Sequence, residues 1–180
     1  SEATEHQYVI FVTKEAYAHF KDQSTPNLQY VPLAFSNPLL ERLVLLPWLA
    51  RKHQLDALMV QWLAPWFCGK TKLIVTIHDL TPIKYARDYK GLSNQLVRLL
   101  TKNSIKRADL ILTPTKAIKS EIETYCPAVK SPIMHFYNGV DTSAFTIDNN
   151  LSDSIVKVPY LLTVGAIERR KNIETIINMM

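Results

Sequence analysis

Two stretches of this chain, ALMVQW (57–62) and KLIVTIHD (72–79), are apolar on successive positions and do not alternate. A strand wetted on one face alternates; an unbroken apolar run suits a strand covered on both faces, which means parallel sheet. Parallel strands need long crossovers, and helix-like segments lie where crossovers would fall. YVIFVT (8–13) reads as a strand and KEAYAHF as a helical turn or two. LQYVPLAF (28–35) reads as a strand whose Pro32 calls for an edge position or an early end. PLLERLVLLPWLARKHQ (38–54) predicts a helix with Pro38 in its first turn and Leu39, Leu40, Leu43 and Val44 on one stripe. Pro47 is expected to kink or split it. SNQLVRLLTKNSIKRA (93–108) predicts a helix with Ser93 as N-cap and Leu96, Leu99 and Leu100 on the buried side. LILTP (110–114) is a short strand. TKAIKSEIETY (115–125) is a helix with Ile118, Ile122 and Tyr125 on one face, and PIMHFYNG (132–139) is a strand closed by an Asn-Gly turn. The alternation predicts an α/β fold, a Rossmann-like parallel sheet with right-handed crossovers.

After Gly139 the pattern stops. DTSAFTIDNNLSDSIVK is polar and aperiodic, then PYLLTVG and KNIETIINMM predict a fresh strand and helix. The expected organisation is a domain over 1–140, a linker over 141–158, and the first β-α unit of a second domain over 159–180.

The apolar fraction of 47% and charged fraction of 21% suit a globular chain able to bury a core. A net charge of +5 permits a phosphate-bearing partner without choosing among them. Cys68 and Cys126 sit in no metal-ligand or redox spacing and read as half-buried thiols of a reducing compartment. The polar opening SEATEHQ does not read as a secretory signal. LERLVLLPWLA holds Glu41, Arg42 and Pro47 and is too short to span a bilayer, so the expectation is cytoplasmic.

The chemistry-bearing stretches follow from this sheet. In an open parallel sheet ligands bind beyond the carboxyl ends of strands, so the end of VTIHDLTP (75–82) places His78 and Asp79 in the ligand crevice. The bland alternative is a hydrogen-bonded histidine and an aspartate capping the next turn. In VGAIERRKN (164–172), Gly165 ends a strand-like run and Arg169, Arg170 and Lys171 cluster before a helix, a pattern suited to a diphosphate. Neither G-x-G-x-x-G nor G-x-x-x-x-G-K-[ST] occurs, which argues against a standard dinucleotide fold, an NAD-linked oxidoreductase or a P-loop. Residues 84–107 carry seven basic residues (Lys84, Arg87, Lys90, Arg98, Lys102, Lys106, Arg107) against Asp88. Arg98, Lys102 and Lys106 fall at i, i+4, i+8 and share one helix face. That face is either solvated surface or a contact with an anionic membrane. Nucleic acid fits less well, since interleaved aromatics and DNA-reading motifs are missing. Trp48, Trp62 and Trp66 read as packing, with a stacking role left open for Trp66. No cluster has metal-ligand spacing.

Four pieces in order, VTIHDLTPIKY, IKRADLILTPT…KSEI, FYNGVDTSAF and YLLTVGAIERRKNIETII, resemble the middle of the retaining family 4 ("group 1") glycosyltransferases. The likeness is nearest to mannosyltransferase-like members that elongate bacterial surface polysaccharide. It covers about residues 72–178. The resemblance implies a GT-B fold, with an acceptor-side first domain and a second domain that holds a nucleotide sugar. It implies that His78 is the family's active-site histidine, that NGVD (138–141) leaves the first domain, and that Gly165, Arg170 and Lys171 neutralise the donor diphosphate. It implies transfer to a glycan or lipid-linked acceptor without a metal or other cofactor. Ala166 stands where many members carry arginine, so Arg169 or Arg170 would substitute. The family's acidic pair for donor sugar and ribose would lie beyond Met180, and YVIFVT matches the family's second strand. The chain is therefore expected to be an internal piece of a longer enzyme, inactive alone. A GT-B sugar-nucleotide epimerase and a non-catalytic Rossmann-type sugar or phosphate-binding module are the other readings.

Overall fold

The computed structural model describes residues 6–33, 37, 40–85, 91–144, 158–165, 167 and 171–179. The chain divides into two compact units, Ser1–Asn138 and Gly139–Met180.

The first unit opens with β1 (Tyr8–Val12), α1 (Lys14–Phe20) and β2 (Leu28–Pro32). Thr13 caps α1 by accepting the Ala16 N–H at 3.3 Å. β1 and β2 pair in parallel from Tyr8↔Leu28 to Val12↔Pro32. Pro32 ends β2, as a residue without a ladder donor should. A π-helical turn, Glu41–Leu45, then runs into α2 (Leu46–Lys52). The kink or split expected at Pro47 takes the form of this change of helix type just ahead of it. The Leu46 N–H reaches back five residues to the Glu41 carbonyl, so the helix widens just ahead of the proline. Pro47 thus lies in the first turn of α2, where its missing N–H is tolerated.

The main sheet is formed by β3 (Ala57–Gln61), β4 (Lys72–Thr76), β5 (Leu110–Thr113) and β6 (Ile133–His135), in that spatial order and all parallel. Between them lie α3 (Thr81–Lys84), α4 (Leu92–Arg107) and α5 (Lys116–Tyr125). The Rossmann-like parallel α/β fold is as expected. β4 carries the core, with Leu73, Val75 and Ile77 buried and Ile111, Ile105 and Ile122 packed in the same cluster. At the amino end of the sheet the Asp109 carboxylate accepts the Leu73 N–H at 2.8 Å and pairs with Lys72 at 3.1 Å, fastening β5 to β4.

Two expectations about burial fail. β3 is not covered on both faces: Leu58 and Val60 are buried but Met59 is 55% exposed, because no described element packs over the face that carries Ala57, Met59 and Gln61. α4 turns differently from the predicted helix. Leu100, Thr101, Ser104 and Ile105 face inward, whereas Leu92, Leu96 and Leu99 are 86%, 45% and 65% exposed. The inward polar groups are satisfied, which lets that face be buried. Thr101 and Ser104 donate to the carbonyls of Val97 and Leu100, and Ser104 Oγ accepts the Ala64 N–H at 2.8 Å. Gly91, at φ 130°, is the N-cap residue in place of Ser93, which lies inside the first turn.

In the second unit, α6 (Ile173–Asn178) forms after Asn172, whose φ of 51° is left-handed. The expected strand PYLLTVG does not. Residues 158–165 join no sheet, and Leu161, Leu162 and Val164 are exposed. A strand needs an edge to pair with, and no described segment of this unit supplies one.

Candidate functional site

The carboxyl ends of β3 to β6 share one edge of the parallel sheet, and the candidate site is built there. β4 continues past Thr76 through an Ile77 N–H bond to the Leu112 carbonyl at 2.9 Å. Ile77 and Leu80 are fully buried, and the half-buried pair His78 and Asp79 lies between them. The Asp79 carboxylate accepts the Thr81 N–H at 2.8 Å, closing the turn into α3. The Leu80 carbonyl accepts from Ile83 and Lys84, and Lys84 pairs with Glu121 of α5 at 2.5 Å. The turn is fastened at every step except one. His78 has no hydrogen-bond partner among the described residues. An imidazole on a fixed backbone, with both nitrogens open, can donate to or accept from a bound hydroxyl or oxyanion. Asp79 has the capping role that was the bland alternative for it.

The neighbouring strand ends contribute further groups. Trp62 follows β3 in a left-handed conformation, φ 66°, unusual for a bulky aromatic. Its N–H bonds to the Thr76 carbonyl at 3.0 Å, and Leu63 N–H bonds back to Gln61 at 2.8 Å, a tight turn centred on the indole-bearing residue. Strained backbone of this kind gathers at functional edges. After β5, Thr113 Oγ1 donates toward the Thr115 and Met134 carbonyls, and Thr115 caps α5 by accepting the Ile118 N–H at 3.2 Å. At the end of β6 the His135 and Tyr137 rings meet edge to face, 5.9 Å apart. Thr76, the last residue of β4 and two before His78, has a buried hydroxyl without a partner among the described residues. Sequence reasoning missed Trp62 and Thr76: a left-handed tryptophan carries no glycine to mark it, and an isolated threonine in a strand carries no signal.

Gly165 and Lys171 belong to the second unit, both exposed, with Gly165 at φ 153°, a backbone state that suits glycine. Arg169 and Arg170 lie outside the described residues. Arg98, Lys102 and Lys106 line one side of α4, and no ion pair engages them among the described residues. Trp48 and Trp66, expected to pack, are 55% and 59% exposed, and Lys52 lies 5.0 Å over the Trp48 ring. Burial raises the thiol pKa of Cys68 and of Cys126. No described helix is long and apolar enough to cross a membrane, and no three described His, Cys, Asp or Glu side chains are grouped to hold a metal.

The first unit, parallel sheets with helices in the crossovers, has the architecture of the Rossmann-like first domain of a GT-B glycosyltransferase. Residues 2–144 match the family described as Glycosyltransferase Family 4, most of the chain, and the chain belongs to that family. No curated protein matches it.

Proposed function

We propose that this protein transfers a hexosyl group, mannose-like in class, from a nucleotide sugar to a glycan or lipid-linked acceptor with retention of configuration. One observation supports the reading most: within a glycosyltransferase family domain, His78 follows the carboxyl end of β4, half-buried, and has no hydrogen-bond partner among the described residues.

His78 in this reading meets the donor sugar, and Asp79 is a positioning residue, its carboxylate engaged with the Thr81 N–H. The bond from the anomeric carbon to the diphosphate breaks and a bond to the acceptor oxygen forms on the same face, the hydroxyl proton leaving with the diphosphate. Gly165, Arg170 and Lys171 are given the charge that develops on the diphosphate, a role that a metal ion plays in other enzymes. Support for this part is the family resemblance and the exposure of Gly165 and Lys171.

The test is a panel of nucleotide sugars offered to the full-length enzyme with and without acceptor, beside His78→Ala. Acceptor-dependent transfer that collapses in the variant supports the reading. Donor epimerisation without acceptor would replace it with the epimerase reading.

A further inference from the structure

We propose that the outward face of α4 is a docking surface for an anionic lipid bilayer, with Leu92, Leu96 and Leu99 entering the interface and Arg98, Lys102 and Lys106 meeting lipid phosphates. The spacing of the leucines, i, i+4 and i+7, puts them on one stripe, and the basic residues at i, i+4, i+8 form a second stripe about a quarter turn away. Leu92, Leu96, Leu99, Arg98 and Lys106 are exposed, and Lys102 is half-buried beside Cys126. The helix is anchored by Leu100, Thr101, Ser104 and Ile105 on its opposite side, so the leucines are bare in the folded unit.

Charge selects the partner. α4 contains no acidic residue, and none of Arg98, Lys102 and Lys106 is engaged by an acid from a neighbouring element among the described residues. Three uncompensated cations beside three exposed leucines fit an interface with an anionic head-group layer and an apolar layer behind it. A nucleic acid would use the cations but leave the leucines in water, and a second copy of the same surface would oppose like charges.

Chain direction adds a consequence. α4 leaves the carboxyl edge after α3 and ends at Ala108 and Asp109, beside the amino ends of β4 and β5. The leucines are therefore at the end of the helix nearer the edge that carries His78. If the transferase reading holds, and on that reading alone, the docked helix brings that edge to acceptors carried on lipid.

Vesicle co-sedimentation tests the docking without any turnover, so its outcome is independent of the transferase reading. The chain is mixed with phosphatidylcholine vesicles and with vesicles containing about a third phosphatidylglycerol. Binding to the anionic vesicles, weakened by salt, is expected. Neutralising Arg98, Lys102 and Lys106 to Gln should weaken it about fivefold per residue. Leu96→Ser with Leu99→Ser should weaken it at least tenfold while the thermal midpoint stays put, since both positions are exposed. Indifference to phosphatidylglycerol would overturn the proposal. So would leucine variants that bind as well as wild type, or leucine variants whose main effect in gel filtration is to dissociate a dimer.

Discussion

The Asp79 carboxylate accepts the Thr81 backbone N–H at 2.8 Å, closing the turn that follows His78. Asn at position 79 keeps an oxygen acceptor in place, whereas Ala removes it. Asp79→Asn should therefore hold activity within a few fold, and Asp79→Ala should lose about 1 kcal/mol of stability together with activity. The measurement is a pair of melting curves alongside initial rates; an Asn variant as inactive as one lacking His78 would place Asp79 in direct contact with substrate.

Two buried hydroxyls should respond in opposite directions. Thr76 Oγ1 has no partner among the described residues, so Thr76→Val removes an unsatisfied group at nearly constant shape and should stabilise by about 1 kcal/mol. Ser104 Oγ accepts the Ala64 N–H in a buried setting, so Ser104→Ala should destabilise by about 1–3 kcal/mol. Urea unfolding of both variants checks the contrast, and a destabilised Thr76→Val would show that its hydroxyl is engaged after all.

The Leu73 N–H, and after it Lys72, hold the Asp109 carboxyl below its usual range. A depressed carboxylate stabilises the fold at pH values above its unfolded pKa, about 3.9, and that contribution fades as pH falls through the lower folded value. Asp109→Asn should therefore lower stability at neutral pH and flatten the loss of stability below about pH 4. Chemical denaturation repeated across that acid range reads both effects. An unchanged acid limb in the variant would mean that other carboxylates govern it.

Much of this could be read from the letters alone, for identifiable reasons. KLIVTIHD announced a central parallel strand because it really is covered on both faces, and its end puts His78 just past the carboxyl edge of the sheet. The same argument misjudged ALMVQW, since an apolar run does not say whether a neighbour arrives on each side; Met59 lies bare. α4 was misread for a related reason. Leucine spacing marked a stripe, but inward-facing Thr101 and Ser104 bond to their own helix and to Ala64, so the polar-looking face is the buried one. YLLTVG has strand composition but, among the described residues of its unit, no edge to join. The left-handed Trp62 depends on its bond to the Thr76 carbonyl, a long-range contact that local sequence does not encode.

Both thiols should be slow. Burial raises their pKa values, which leaves little thiolate near neutrality. Reaction of Cys68 and Cys126 with a chromogenic disulfide reagent at pH 7 should lag well behind that of free cysteine and accelerate once denaturant is added. Immediate reaction of either would show that its surroundings open readily.

Whether one imidazole governs sugar transfer is settled most directly by initial rates of the full-length enzyme and its His78→Ala variant with nucleotide sugar and acceptor. A fall in kcat/KM of about a hundredfold or more, with the melting temperature unchanged, is the result this account predicts. Undiminished turnover in the variant would contradict it.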